Sequence, residues 1–504
     1  MERVQHIGVI GAGTMGRGIV QLFAQAGHRV SCFDAAEGAA QKAVEFARNM
    51  IERGVQKGRY TPEQASAMVA AIKPCASLDG LADCELIIEA IVENLEVKRK
   101  LFGDLEGVVS EHAILASNTS SLIVAEIAAS CRHPERVAGL HFFNPVPLMK
   151  VVEIIAAVRT SPGTVAALRV TVEGTGHRAV VAADQPGFLV NHAGRGRYTE
   201  GLRILEEQAA SPQQIDTLMR EAAGFRMGPF ELLDLTGLDV SGKVMESIYT
   251  QFQQEPRFRP SALVSPRIAA GLHGRKTGAG WYRYENDVKQ ETPSPPVPAL
   301  RRDLRVWIDL SADERGGVIA LVGDAGALVV ESVDDADLIV IQPWGWDATR
   351  YCVDHGLDAS RTVALDPLPG LSRHRTLMLT SITSPAARDA AHALMAQRGA
   401  AVTVINDSPG FVVQRILATI VNIAAEIAQR RIASIEDIED AVQLGLGYPQ
   451  GPLSLGDQIG GAKVLSILSH MQSLTGDPRY RPSSWLRRRV ALGKSLLEPE
   501  TPRQ

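Results

Sequence analysis

Short apolar runs alternate with helical patterns through the first 183 positions of the chain. HIGVI at 6 to 10 is an apolar run that ends in glycines, and helical spacing follows from Met15 to Gln25. That order predicts strand, tight turn and helix. RVSCFD ends in an acid, a mixed-charge helical region covers Ala39 to Ile72, and CELIIEAIVE is a continuous apolar run suited to a buried parallel strand. AILASNTS, RVAGLHFF, KVVEII and HRAVVAA complete the expected strands. Strands that alternate with helices predict a doubly wound α/β sheet over residues 1–183.

After QPGFLVN at 185 the texture becomes helical up to WYRYE at 285, so residues 184–285 are expected to form an all-α domain. Residues 286–300, NDVKQETPSPPVPAL, hold four prolines within six positions and read as a semi-rigid linker. Beyond it the chain repeats itself. QPGFLVN (185–191) matches SPGFVVQ (408–414) and MGPFELLDLTG (227–237) matches QGPLSLGDQIG (450–460), both at an offset of 223. PRFRP (256–260) matches PRYRP (478–482) at 222. The α/β part has a fainter echo, with DADLIVIQP (335–343) resembling DCELIIEAI (83–91) and VALDPLPGL (363–371) resembling VAGLHFFNP. Residues 301–405 are therefore expected to form a degenerate α/β segment, and 406–504 a second copy of the helical domain.

A chain of 504 residues suits several such modules. With 45% hydrophobic and 22% charged residues and a net charge of −5, nothing points to nucleic acid or an anionic membrane. The five cysteines are scattered with no metal-ligand spacing, so no metal is expected and a reducing cytoplasm fits. No basic leader with an apolar segment opens the sequence and no run approaches the roughly 20 apolar residues a bilayer needs, so neither a signal peptide nor a membrane span is expected.

GAGTMG places Gly11, Gly13 and Gly16 in the G-x-G-x-x-G spacing between a strand and a helix. Such glycines let backbone N–H groups approach a pyrophosphate at a helix N-terminus, the Rossmann device for a dinucleotide. Asp34 ends the second strand 18 positions after Gly16, where an acid bonds the adenosine ribose and repels a 2′-phosphate, which favours NAD over NADP. The plain alternative for Asp34 is a solvated acid at a strand end. Glu89 and Glu93 in EAIVEN stand just past a buried strand, and one of them could simply cap the next helix.

GAGTMG, EAIVEN with Lys98, SNTSSL (117–122), HFFNPVP, VVEI (151–154) and PGFLVN occur in one order and spacing over residues 1–285. In this the sequence resembles the L-3-hydroxyacyl-CoA dehydrogenases, and its duplicated tail is similar to the long form linked to phenylacetate and short-chain 3-hydroxyacyl-CoA breakdown. The resemblance implies NAD-dependent, reversible oxidation of an L-3-hydroxyacyl-CoA, with His141 as base, Glu153 as its partner, and Ser120 and Asn191 bonding the reacting oxygen. It further implies that Glu93, Lys98, Ser120 and Asn144 line the nicotinamide side. Coenzyme A phosphates would then lie along the arm of residues 39–60, with Lys57 as candidate. The chemistry is coherent, because a histidine of ordinary pKa near 6.5 accepts a hydroxyl proton near neutrality and a carboxylate behind the ring holds its tautomer. Bland alternatives stand beside these roles. His141 could be a packed core histidine, Ser120 a turn or N-cap residue, Asn191 a cap, and Lys57 a charge on a solvated helix.

Departures qualify the resemblance. After Asn191 the chain reads HAGRGRYTEG, where the family commonly has arginine and then proline, and Gly194 and Gly196 are expected to loosen or reshape the helix start. The second α/β segment has no G-x-G-x-x-G. Its glycines in VGDAGAL follow a strand-like run, VALDPLPGL lacks His141 and Asn144, RTLMLTS offers no match to Glu153, and Gln414 replaces Asn191. The second half is thus expected to lack NAD chemistry and to serve as an internal pairing surface, giving a pseudo-dimeric chain that is a monomer or a homodimer. The competing readings are a β-hydroxyacid dehydrogenase acting on a free acid and a non-catalytic NAD-binding structural protein of the same fold.

Overall fold

The computed structural model describes residues 4–501 and divides into two compact units, one running to His192 and including Ile427–Leu446, the other Ala193–Glu426 with the chain from Gly447 onward. The first unit is built on β1 (His6–Ile10), α1 (Thr14–Gln25), β2 (Arg29–Phe33), α2 (Ala39–Gln56), α3 (Pro62–Ala70), β3 (Ile72–Cys75), β4 (Leu86–Glu89), α4 (Leu95–Leu105), β5 (Ile114–Ser117), α5 (Val124–Ala128), β6 (Val137–Phe142), β7 (Val151–Ala156), α6 (Pro162–Glu173), β8 (Arg178–Ala183) and α7 (Val190–Ala193). Its eight strands lie in the order β3-β2-β1-β4-β5-β6-β7-β8, parallel except for β6 against β7. The strand order reverses between β1 and β4, the place where doubly wound sheets bind ligands.

Ile7, Val9, Leu86, Ile88, Ala116, Leu140 and Val152 are buried in one core cluster, which explains the continuous apolar runs of the central strands. The helical region expected over 39–72 is divided instead. Thr61 forms a capping box with Gln64 and Pro62 follows it, so α3 starts afresh, and Ile72–Cys75 pairs with β2 as an edge strand. The opposite edge, β8, is covered by a later stretch of chain. Ala183 N donates to Ile432 O at 2.8 Å, and the Arg178 guanidinium reaches Asp440 at 2.6 Å and Asp437 at 2.9 Å, both on the helix Ile435–Leu446.

The second unit contains α8 (Arg195–Glu206), a short hairpin of β9 (Tyr284–Glu285) and β10 (Val288–Lys289), and six strands β11 (Arg305–Ile308), β12 (Leu328–Val329), β13 (Leu338–Ile341), β14 (Thr362–Leu365), β15 (Arg375–Leu379) and β16 (Val402–Ile405). The sheet order is β12-β11-β13-β14-β15-β16, with β14 antiparallel to β15. VIALVGD lies within the helix Arg315–Asp324, which corrects the strand-like reading of the run before those glycines. Here the edge strand is closed by residues that precede the sheet in sequence. Asn406 N donates to Ala209 O at 2.9 Å and Gln214 Nε2 to Val404 O at 3.0 Å. Asn406 and Ala209 stand 223 positions from Ala183 and Ile432 respectively, so each sheet edge is closed by the other copy of the helical repeat.

Helix α8 packs against the helix Val413–Gln429. A Cβ on Gly196 would lie 3.1 Å from Ile423 and 3.2 Å from Thr419, so this glycine permits a close approach of helices. Gly194, the N-cap at which α7 and α8 separate, keeps a right-handed helical conformation (φ −71°, ψ −14°), and Gly196 lies within α8. Arg415 is buried in an ion pair with Glu200, reaches Glu207 at 2.6 Å and donates to Tyr480 Oη at 2.8 Å. Its counterpart 223 positions earlier is His192, and that of Glu200 is Ile423, so the equivalent positions carry no such pair.

Candidate functional site

The glycine turn is dictated by contact. Gly11 has φ +99°, and a Cβ there would lie 2.4 Å from Ala90 O; one on Gly16 would lie 1.7 Å from Gly11 O. Gly13 differs, since a Cβ there would meet nothing within 4 Å, and as N-cap of α1 it offers no side-chain acceptor. The helix N-terminus is therefore uncapped by side chains and open, as a pyrophosphate requires. Asp34 accepts from Ala12 N at 2.7 Å and from Ala36 N at 2.8 Å. It is thereby tied to the glycine turn, and is more than a solvated acid at a strand end.

A buried charge network lies past β4. Glu89 is the last residue of that strand and is fully buried; it accepts from Lys98 Nζ at 2.6 Å, Ile91 N at 2.8 Å and Ser117 Oγ at 2.7 Å. Lys98 Nζ is also 3.4 Å from Glu93 Oε2. The other Glu93 oxygen gathers Thr119 Oγ1 at 2.7 Å, Ser120 N at 2.9 Å and Ser121 N at 3.1 Å. Burial pushes the Glu93 carboxyl up, but Lys98 and these hydrogen bonds outweigh it and hold it below its ordinary range. Neither glutamate caps α4; that role belongs to Asn94, whose side chain accepts from Val97 N at 3.1 Å.

Ser120 lies in the loop between β5 and α5, its Oγ 3.4 Å from Glu93 Oε1, and caps no helix. The N–H groups of Val124 and Ala125 at the start of α5 are taken by Asp184 at 3.1 and 2.8 Å. Asn118, which sequence reasoning passed over, accepts from Phe142 N at 2.8 Å and so fixes the end of β6. Its signal was its place in SNTSS, where only the serine drew attention.

His141 and Glu153 are directly opposed residues of the antiparallel pair β6 and β7. The His141 Nδ1 to Glu153 Oε2 distance is 2.6 Å, with histidine 6% and glutamate 0% exposed. Glu153 Oε1 accepts from Leu189 N at 2.9 Å and Val190 N at 2.8 Å. With Oε1 held by two donors, Oε2 is the atom left to face the imidazole. Phe143 and Phe188 flank the ring edge-on, with centroids at 4.5 and 5.9 Å. Phe188 is in the left-handed region at φ 51°, as is its repeat partner Phe411 at 52°. The strained PGF turn thus belongs to the fold of both copies, whereas the carboxylate it holds occurs in one. Asn191 follows this turn in α7, and Asn144 is exposed beyond the end of β6.

The second copy shows what is lost. Leu365 pairs with Leu377, and Asp366 N donates to Thr376 O at 3.0 Å. That register sets Asp366 at the place of His141 and Thr376 at that of Glu153. The sequence hid both, because the connection between the two strands is two residues shorter in this copy. Gln414, at the place of Asn191, donates to Asp366 Oδ1 at 2.9 Å, while Asp366 Oδ2 and Thr376 Oγ1 have no hydrogen-bond partner among the described residues. Burial pushes the Asp366 carboxyl up to about 6.

Lys57 is exposed at the C-cap of α2 and lines a cavity of about 680 Å3 together with Arg17, Arg53, Arg59 and Lys150. Asn144 lines it too. No helix among the described residues is long and apolar enough to cross a membrane.

Residues 6–185 match the model of the 3-hydroxyacyl-CoA dehydrogenase NAD-binding domain, and residues 187–284 and 410–497 each match that of the 3-hydroxyacyl-CoA dehydrogenase C-terminal domain. The chain is 35% identical over 492 residues, 98% of each sequence, to a 3-hydroxyadipyl-CoA dehydrogenase of Escherichia coli strain K12. It is 38% identical over 290 residues to the mitochondrial hydroxyacyl-coenzyme A dehydrogenase of Homo sapiens, covering 56% of this chain and 92% of that one. Among solved structures, an Escherichia coli 3-hydroxybutyryl-CoA dehydrogenase superposes with a TM-score of 0.86 at 34% identity, covering 97% of this chain and 99% of the other.

Proposed function

The chain belongs to the 3-hydroxyacyl-CoA dehydrogenase family, and from that premise we propose how its own residues perform the NAD-dependent oxidation of a 3-hydroxyacyl-CoA to the 3-oxoacyl-CoA. His141 takes the C3 hydroxyl proton on Nε2 while the C3 hydrogen leaves as hydride. Glu153, fully buried and held by Leu189 N and Val190 N, keeps the Nδ1 proton on the inner nitrogen and stabilises the imidazolium that results. Ser120 and Asn191 hold the reacting oxygen. NAD, when bound, supplies the hydride acceptor. Gly11, Gly13 and Gly16 open the helix N-terminus to its pyrophosphate, and Asp34 receives the ribose. Lys98, neutralised between Glu89 and Glu93, orders with Ser120 and Asn144 the wall that the nicotinamide faces.

The locked His141 and Glu153 pair carries this reading. Its test is H141Q assayed with acetoacetyl-CoA and NADH at 340 nm, which is expected to abolish turnover and leave NAD affinity intact; retained turnover refutes the base assignment.

The substrate we infer is a short-chain or 3-hydroxyadipyl-like acyl-CoA of fatty acid or phenylacetate breakdown, in line with the name of the full-length Escherichia coli relative. Its coenzyme A phosphates meet Lys57 and the neighbouring arginines of the 680 Å3 cavity. A kcat/KM panel across chain length and terminal charge tests the acyl preference. The five segments 1–183, 184–285, 286–300, 301–405 and 406–504 act as one cytoplasmic pseudo-dimer, a monomer or a homodimer in solution. The reciprocal closure of the two sheet edges supports this reading, and the activity and solution mass of a chain ending near residue 290 test it; a stable, fully active monomer refutes it.

A further inference from the structure

The second sheet has a cavity of its own, about 1330 Å3 in volume. Six of its lining residues stand in the same places of the repeat as residues of the cavity beside Lys57, while Gln213, Thr217, Arg220, Glu221 and residues 291–294 have no counterpart there. Leu371, Arg373, Arg398 and Gly399 lie 223 positions after Leu148, Lys150, Thr175 and Gly176, and Gly317 and Leu321 lie 299 after Gly18 and Leu22. The strand registers agree, since Val152 pairs with Ala179 and Arg375 with Val402. The second copy therefore carries Asp366 and Thr376 in place of the acid–base pair, while its cavity has glycine and leucine at Gly317, Leu321, Leu371 and Gly399 as the first has at the matching places.

Charge at the cavity is kept only in part: the first is lined by Arg17, Arg53, Lys57, Arg59 and Lys150 without an acid, the second by Arg220, Arg373, Arg375 and Arg398 together with three glutamates. Lys150 is replaced by Arg373, an exposed guanidinium that donates to Ala222 O at 3.3 Å, and Thr175 by a further cation, Arg398. Arg398 pairs with Asp324 at 2.5 Å, but both are about half exposed, and such a pair yields readily to a doubly charged phosphate. Of the three glutamates on the walls, Glu291 is held by Lys289 at 2.8 Å and Glu221 lies 3.7 Å from Arg220. Glu314 lies against Gly317 and Gly370, and Arg373 against Ala222 and Gly224. The volume exceeds the several hundred Å3 of an ordinary small-molecule site and accommodates a nucleotide.

We propose that this second cavity binds the phosphorylated nucleotide end of coenzyme A without chemistry, so that one chain with one catalytic site takes up two coenzyme A molecules. The proposal rests on the reading of the Lys57 cavity as the place of the substrate's coenzyme A phosphates. It is tested by calorimetric titration of the full-length protein with free coenzyme A in the absence of NAD. Two equivalents are expected, falling to one in R373E/R398E, whose kcat and KM for acyl-CoA stay within twofold of wild type. K57E is expected to remove the other equivalent.

One equivalent in the wild type, lost in K57E and untouched by R373E/R398E, overturns the second site and leaves the first reading standing. Two equivalents untouched by K57E, one of them lost in R373E/R398E, overturn the Lys57 reading alone. Titration of the wild type with adenosine 3′,5′-bisphosphate needs no variant; two equivalents support the second site and a single one overturns it.

Discussion

Replacing Glu153 with glutamine probes the catalytic pair through its wiring. Oε1 accepts two backbone N–H groups, from Leu189 and Val190, at 2.9 and 2.8 Å. In E153Q the amide oxygen must stay there, because turning the amide would set its NH2 group against two donors and leave buried hydrogen bonds unmade, at a cost of about 1–3 kcal/mol each. The NH2 group therefore faces His141 Nδ1 across the 2.6 Å contact. Nδ1 must then accept, the ring proton moves to Nε2, and the outer nitrogen can no longer take a proton from substrate. Loss of the correct tautomer with geometry preserved costs roughly 10⁴ in kcat in hydrolases that use the same carboxylate–histidine arrangement, or about 5 kcal/mol of barrier. The assay is steady-state NADH formation, alongside NAD binding by fluorescence. A fall of about 10³–10⁴ in kcat is expected with NAD affinity unchanged, and the double variant H141Q/E153Q should be no slower than H141Q. An E153Q enzyme within tenfold of wild type refutes the argument.

Three further changes test other parts of the structure. Gly16→Ala would drive a Cβ to 1.7 Å from Gly11 O, so dinucleotide binding should be lost in titration; NAD affinity within threefold of wild type contradicts the close-packed turn. Asp366, raised by burial to about 6, keeps its proton in the folded state between its unfolded value near 4 and about 6. Its contribution is therefore fully present below pH 4 and is lost as pH rises through 6, by about 3 kcal/mol in all. Asp366→Asn should consequently unfold at higher urea than wild type at pH 7.5 and at equal urea near pH 4, and a pH-independent difference refutes this. Arg415→Ala leaves the buried Glu200 carboxylate with Tyr480 Oη at 2.8 Å and Arg479 at 3.9 Å and should cost about 3–5 kcal/mol in urea denaturation, while the same change at the exposed Arg350 should cost less than about 1 kcal/mol.

Much of the first sheet was legible because its central strands are buried on both faces and must be continuous apolar runs, while Gly11 and Gly16 of its turn leave no room for a Cβ. Gly11 and Asp34 could be named from the spacing that a dinucleotide turn needs, whereas His141 and Glu153 were named through the resemblance of their motifs to a known family. The edge strand Ile72–Cys75 was not legible. KPC carries no apolar alternation, and only pairing with β2 makes it a strand. Glu89 was read as a residue past its strand, because nothing local announces that Lys98, nine positions on, will fold back onto it.

The sequence by itself determined the alternation of strands and helices, the duplication and the family, since periodicity, repeats and motifs are local or recur at fixed offsets. Tertiary structure alone decided which carboxylate oxygen faces His141, that Asp366 and Thr376 occupy the emptied site, and that each copy of the helical repeat closes the sheet edge of the other. Those facts are contacts between residues tens to hundreds of positions apart. Strand register and packing select such contacts, and no stretch of chain records them in its own pattern.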